Sequence, residues 1–180
     1  MIMTTKRKLC ITLLFFGICG IAQADLRPEK IHVADMKKNN FYVRDGLFVG
    51  GDKAIDNVTV RDIRRAGNPQ FERVVIDLEG TQMGETAAIP RPPYFQVAVN
   101  PEEKRLVVTV FGKLKLGFDA KRSAQMFAKS ANFHSISFFP KLEGDSWTFS
   151  MNLKTGNPVE VFELTNPVRI IVDVKNVKSE

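Results

Sequence analysis

From residue 58 onward, apolar and polar residues alternate with a period of two, in short runs broken by turn-forming residues. Alternation of this kind marks β-strands with one buried face. The runs cover 58–60, 71–78, 94–99, 105–111, 135–139, 147–153, 159–164 and 169–174. Residues 64–69 read as a turn, and residues 81–93 as a long loop rich in proline and small side chains. Asn100-Pro101-Glu102-Glu103 reads as the turn of a hairpin. Only one segment has a helical period. Asp119 stands where an N-cap belongs, and Ala120, Ala124, Phe127, Ala128 and Ala131 form one apolar stripe, so a helix is expected over about 119–131.

Three runs share a template. Arg73-Val74-Val75-Ile76-Asp77-Leu78 matches Arg169-Ile170-Ile171-Val172-Asp173-Val174, and residues 105–110 are a looser copy. In all three the parity is the same, with Val74, Ile76 and Leu78 on one face and Arg73, Val75 and Asp77 on the other. The likeness extends to whole halves, 58–111 and 133–174, in strand order, turn residues and parity. Duplication of a β unit explains all three agreements, whereas chance reuse of Arg-Val-Val-Ile explains only the motif. The expected fold is mostly β: two pseudo-symmetric small antiparallel sheets packed as a sandwich, with one short helix between the halves. Equivalence of Val74 with Phe149, and of Leu106 with Ile170, follows from the alignment of the halves.

The first 57 residues follow other patterns. Lys6, Arg7 and Lys8 precede an uncharged apolar run from Leu9 to Ile21, and Ala22-Gln23-Ala24 is a small-x-small cleavage site. Residues 1–24 therefore read as a cleaved signal peptide, with the mature chain starting at Asp25. The apolar run is too short for a spanning helix, which needs roughly 20 residues, so no membrane span is expected after cleavage. Residues 25–57 read as an N-terminal arm: a loose polar stretch, then a small hairpin with Asp45-Gly46 at its turn. Residues 58–176 form the β domain. Both cysteines, Cys10 and Cys19, lie in the signal, which leaves the mature chain without a thiol, a disulfide or a thiolate metal site. The net charge of +6 includes three signal cations, so +3 remains on the mature chain. That mild balance, with no basic block interleaved with aromatics, argues against nucleic acid as a partner.

The run from Phe71 to Gly80, an opening strand like Val60-Arg61-Asp62-Ile63-Arg64, and above all the closing stretch from Pro158 to Val174 resemble the AMIN domain. This module is found in periplasmic N-acetylmuramoyl-alanine amidases and in secretins of type IV pilus systems. The resemblance spans residues 58–174. It implies two symmetric β-sheets and a non-catalytic periplasmic role, binding peptidoglycan or targeting a protein to the envelope. The loop at 81–93 and the helix near 119–131 depart from the compact family pattern.

Catalytic chemistry has little support. The two histidines, His32 and His134, lack metal-ligand spacing, and no Gly-x-Ser-x-Gly turn supports a nucleophile. Neither a metal nor any other cofactor is expected. Asp77 and Asp173 have the residue type of a glycosidase pair, but each closes a strand beside a rim arginine. Binding is the better-supported class. Arg73, Arg105 and Arg169 occupy equivalent rim positions, where guanidinium groups can grip carboxylates, although solvated strand-end arginines would look the same. Tyr94 and Trp147 begin equivalent strands and are candidates for stacking on sugar rings, or else core aromatics. The expected partner is peptidoglycan or another envelope polymer. The alternative is a pilus, secretion or divisome protein met at an open sheet edge, and a cell-wall hydrolase ranks last.

Overall fold

The computed structural model describes residues 28–139 and 144–176; the signal segment lies outside them. Two six-stranded sheets pack face to face. In chain order the strands are β1 (Ile31–Val33), β2 (Gly46–Gly50), β3 (Val58–Gly67), β4 (Phe71–Gln82), β5 (Glu85–Ala87), β6 (Phe95–Asn100), β7 (Arg105–Phe111), β8 (Leu114–Leu116), β9 (Phe133–Phe138), β10 (Ser146–Leu153), β11 (Val159–Thr165) and β12 (Val168–Lys175). Among the described residues the one α-helix, α1 (Ala120–Phe127), lies between β8 and β9. Sheet A has the order β1-β2-β6-β7-β10-β9. Sheet B has the order β11-β12-β4-β3-β8, with β5 hairpinned onto β4. The central strands are antiparallel, while β1 and β8 join their edges in parallel.

The duplication is visible in the pairing. The run β6-β7-β10-β9 in sheet A matches β11-β12-β4-β3 in sheet B, so each sheet is built from a hairpin of one half and two strands of the other. Registers agree residue by residue: Phe149 faces Val108 as Val74 faces Val172, and Val97 faces Val108 as Val161 faces Val172. The alternation then places Val74, Ile76, Leu106, Val108, Phe149, Met151, Ile170 and Val172 in one buried core. The symmetry breaks at defined points. Trp147 and Glu72 are counterparts, as are Phe138 and Arg65, and Val99 and Glu163. One end of the sandwich is thus filled by rings, with Trp147 within 5.5 Å of Phe118 and 5.1 Å of Phe149. At the other end Arg65 pairs with buried Glu72, whose carboxylate also accepts from Ser130 Oγ at 2.6 Å and the Asn132 amide at 2.9 Å. Arg65 Nε donates to the Met126 carbonyl at 3.0 Å, which ties the end of α1 to β3.

Several expectations are corrected. Phe41 to Val49 is not a hairpin. The arm instead runs along β2 as β1, crosses to sheet B where Asp35 bridges Phe162, returns where Val43 bridges Val159, and enters sheet A as β2. It therefore stitches one open side of the sandwich rather than lying loose. Gly46 serves this crossing: a Cβ there would sit 2.5 Å from the Lys30 carbonyl oxygen. Residues 64–67 are not a turn but the end of β3, because a bulge between Val60 and Asp62 shifts the parity. The loop at 81–93 opens with β5, joined to β4 by Met83 and Gly84, both at positive φ (51° and 87°), as a tight two-residue hairpin requires. The helix is shorter than expected but starts where expected: the Asp119 carboxylate accepts the Arg122 amide at 3.0 Å.

Candidate functional site

The outer face of sheet B carries most of the conspicuous polar residues. On β4 the residues Arg73, Val75 and Asp77 point outward, and on β12 so do Arg169, Ile171 and Asp173. The strands are antiparallel, with Arg73 opposite Asp173, Val75 opposite Ile171, and Asp77 opposite Arg169. Two copies of an Arg-x-x-x-Asp template paired this way satisfy each other. The Arg73 guanidinium donates from Nε and Nη2 to both Asp173 oxygens at 2.7 and 2.8 Å. Arg169 Nε donates to Asp77 at 2.6 Å. Asp77 also accepts from Arg64 on β3, at 2.8 Å from Nε. Val75, Phe162 and Ile171 are buried between these polar ends as a small second cluster.

The two ends differ in burial. At the Arg73 end, Lys38 of the arm reaches over β11 and donates to Glu160 at 2.5 Å and to Asp173 at 2.8 Å; both carboxylates are almost wholly buried. Glu160 also accepts the amides of Asn39 and Asn40 at 2.8 and 2.7 Å. Lys38 stands 4.4 Å from the centre of the Phe71 ring, and the Arg73 guanidinium lies 5.0 and 5.2 Å from the Phe71 and Phe162 rings. Burial works against the charge on Lys38, but its bonds to Asp173, Glu160 and Tyr42 together outweigh that and hold its pKa above the usual value. The bond to Asp173 likewise raises that of Arg73, against burial. Burial raises Tyr42. At this end both oxygens of Asp173 are engaged by Arg73, and Lys38 joins Asp173 to Glu160.

The Arg169 end is open. Arg169, Asp77, Arg61 and Glu79 line one wall of a groove of about 570 Å³. Residues 86–89 and the 165–168 turn, with its cis Asn166–Pro167 bond, line the same groove. Among the described residues, Nε is the only guanidinium nitrogen of Arg169 that makes a hydrogen bond, which leaves both Nη groups available. Asp77 holds the guanidinium through Nε and also accepts from Arg64. Such a group presents two parallel N–H donors to an incoming carboxylate.

The other sequence-derived candidates fall elsewhere. Arg105 is in sheet A, about half exposed and paired with Glu103, so the three arginines do not form one row. Trp147 is 1 % exposed and donates to the Phe139 carbonyl at 2.8 Å; it is a core residue and cannot stack on a sugar. Nor is it the counterpart of Tyr94: register pairs Trp147 with Glu72 and Tyr94 with Pro158. Tyr94 is half-buried, 5.1 Å from Phe111 and beneath Lys53 at 5.2 Å, and it lines a shallow cleft with Asp56 and Asp145 on the sheet A side. Backbone bonds from Lys113 and Asn57 hold the Asp56 carboxyl below its usual pKa.

Sequence reasoning passed over Arg64 and Lys38. The signal for Arg64 was available in the unpaired valence of Asp77, but Lys38 lies 122 residues from Glu160 in a polar stretch without a pattern. Asp77 and Asp173, once weighed as a catalytic pair, sit four residues apart along the ladder, each engaged by arginine. His32 packs against Phe41 and Phe48, while His134 is exposed on β9. Among the described residues no three of His, Cys, Asp and Glu come together as a metal would need. The chain matches no family model, no curated protein and no solved structure.

Proposed function

We propose that the chain is a non-catalytic, exported envelope module of the AMIN type, and that it binds the carboxylate-bearing stems of peptidoglycan in the groove at Arg169. The observation that carries this reading is the Arg169 guanidinium, which lines a groove and is held by Asp77 through Nε, with no Nη hydrogen bond among the described residues. The sandwich of two symmetric sheets agrees with the fold that the resemblance implies. Arg61, more than half exposed beside Glu79, adds a second cation to the same wall. Each partly exposed charge pair contributes about 0.2–1 kcal/mol, so binding through this groove is weak and falls as salt rises.

Co-sedimentation of the purified chain with sacculi tests the reading. Arg169→Ala should reduce retention about fivefold, the effect of roughly 1 kcal/mol. Its fold should survive, because Asp77 keeps Arg64. Arg105→Ala should leave retention unchanged. If Arg169→Ala binds as the parent does, the groove is not the site. If the parent is not retained while one envelope protein co-purifies with it, the chain is a protein-interaction module.

A further inference from the structure

The described residues hold no cysteine, so the thioethers of Met36, Met83, Met126 and Met151 are their only sulfur. The four settings differ. Met151 is 0 % exposed in the core, Met126 packs half-buried against it, Met36 is 57 % exposed on the arm, and Met83 is 99 % exposed. Met83 is the first central residue of the β4–β5 turn, at φ 51°. A long side chain seldom occupies that region, where glycine or asparagine fits at less cost, and such outliers gather at functional positions. A Cβ added at the neighbouring Gly84 would meet nothing within 4 Å beyond its chain neighbours, so the tip stands clear. Two lysines stand beside the hairpin. The Thr81 amide donates to the Asn57 carbonyl at 2.7 Å, and the Val58 amide to the Lys113 carbonyl at 3.1 Å, which lays the end of β4, residue 57 and the start of β8 side by side. Met83, Lys113 and Lys115 thereby line one cleft of about 410 Å³. Among the described residues neither ammonium group has a hydrogen bond or an ion pair; Asp56 takes the Lys113 backbone amide instead, at 2.5 Å.

We propose that Met83 is a reversible oxidation site: peroxides convert it to the sulfoxide ahead of the other methionines, and Lys113 and Lys115 receive the new oxygen. The thioether sulfur attacks the peroxide O–O bond. An S–O bond forms, the O–O bond breaks, the sulfur gives up two electrons, and hydrogen peroxide leaves as water. The attack needs a reachable sulfur, so the rate follows exposure. No thiolate among the described residues competes for the oxidant. Oxidation turns an apolar tip into a polar acceptor. The ammonium groups that share its cleft have no other partner, and a charged donor strengthens the bond it makes to that oxygen. Reduction by a dithiol, through a methionine sulfoxide reductase, releases the oxygen as water, leaves a disulfide on the reductant and restores the thioether. The fold tolerates the change, because the Met83 side chain is buried against nothing. No residue of this cleft lines the groove at Arg169, so the proposal is independent of the ligand read for that groove.

Treatment of the purified, folded chain with hydrogen peroxide tests this, with sulfoxide at each methionine followed by peptide mass spectrometry. Met83 should oxidise about twofold faster than Met36 and at least about tenfold faster than Met126 and Met151. In concentrated urea the four rates should converge, since the fold sets their order. A methionine sulfoxide reductase with dithiothreitol should return Met83 to the thioether. Oxidation of Met36 or Met126 ahead of Met83, equal rates at all four in the folded chain, an order that persists in urea, or a Met83 sulfoxide that the reductase cannot reduce overturns the proposal. Side-chain NMR signals of Lys113 and Lys115 read the second half. They should move when the parent is oxidised and stay in place in peroxide-treated Met83→Leu. Lysine signals that stay in place in the oxidised parent, or move equally in Met83→Leu, overturn the role given to the lysines.

Discussion

Asp77 and Asp173 offer a controlled comparison, because they are related by the internal symmetry yet differ in burial. Each sits in the same template, faces an arginine across the same ladder, and accepts from two cationic side chains. Asp173 is fully buried, and it accepts three hydrogen bonds, two from Arg73 and one from Lys38. Asp173→Ala leaves Lys38 with Glu160 and Tyr42, and leaves Arg73 against the Phe71 and Phe162 rings. Breaking a buried ion pair by removing one partner costs about 3–5 kcal/mol. The Arg73 and Lys38 side chains are 29 % and 25 % exposed and keep some water, so the cost falls at the lower end, about 3 kcal/mol. For a domain of this size that lowers the melting temperature by about 10 °C. Asp77 is 22 % exposed, and its partners Arg64 and Arg169 are 39 % and 29 % exposed. Asp77→Ala should therefore cost only about 1 kcal/mol, or roughly 3 °C. Thermal and urea melts followed by circular dichroism measure both. Equal losses for the two variants, or a loss below about 1 kcal/mol for Asp173→Ala, would refute burial as the source of the difference.

Glu163 tests electrostatics on the core side. Burial raises its carboxyl pKa, outweighing Arg91 and the Gly51 amide. A folded pKa above the unfolded 4.5 means that the folded chain holds the proton more tightly, so stability falls as pH rises through that window and is level above it. Glu163→Gln should remove this decline, as denaturant midpoints measured from pH 4 upward will show; an unchanged slope would place the titration elsewhere. At Gly51, φ is +75° and an added Cβ would lie 2.1 Å from the Pro93 carbonyl oxygen, a backbone atom that cannot step aside. Gly51→Ala should cost about 3 kcal/mol, from the positive φ and the clash together, and a near-native melting temperature would contradict that local geometry.

Where the alternation was strong, the fold could be read from the chain. The 71–78 run, the hairpin around Asn100-Pro101, the closing pair of strands and the Asp119 cap follow from local chemistry, and the repeated template revealed the duplicated halves. The arm could not be read that way. Its polar residues have no period, and what holds them is a set of distant partners: Glu160 for Lys38, Val159 for Val43, Phe162 for Asp35. Asp45-Gly46 resembled a turn because glycine and aspartate favour one, but here the glycine allows two backbones to cross closely. The candidate site was half legible. Arg73, Arg105 and Arg169 share a position within a repeated motif, yet position in a motif does not fix position in space. Antiparallel pairing of the first and last copies set Arg73 against Asp173 and Arg169 against Asp77, while the looser copy went to the other sheet. The self-complementarity of Arg-x-x-x-Asp was present in the sequence, but it needed the knowledge that the two copies are neighbours.

A residue-resolved NMR titration of the chain with a soluble muropeptide carrying a free stem carboxylate tests the proposed function most directly. The account predicts shifts that saturate weakly, diminish with salt, and cluster at Arg61, Glu79, residues 86–89 and residues 165–169, with the Arg169 side-chain N–H signals moving most. Shifts confined to the Tyr94 cleft or to the outer face of sheet A, or no shifts at all, would contradict it.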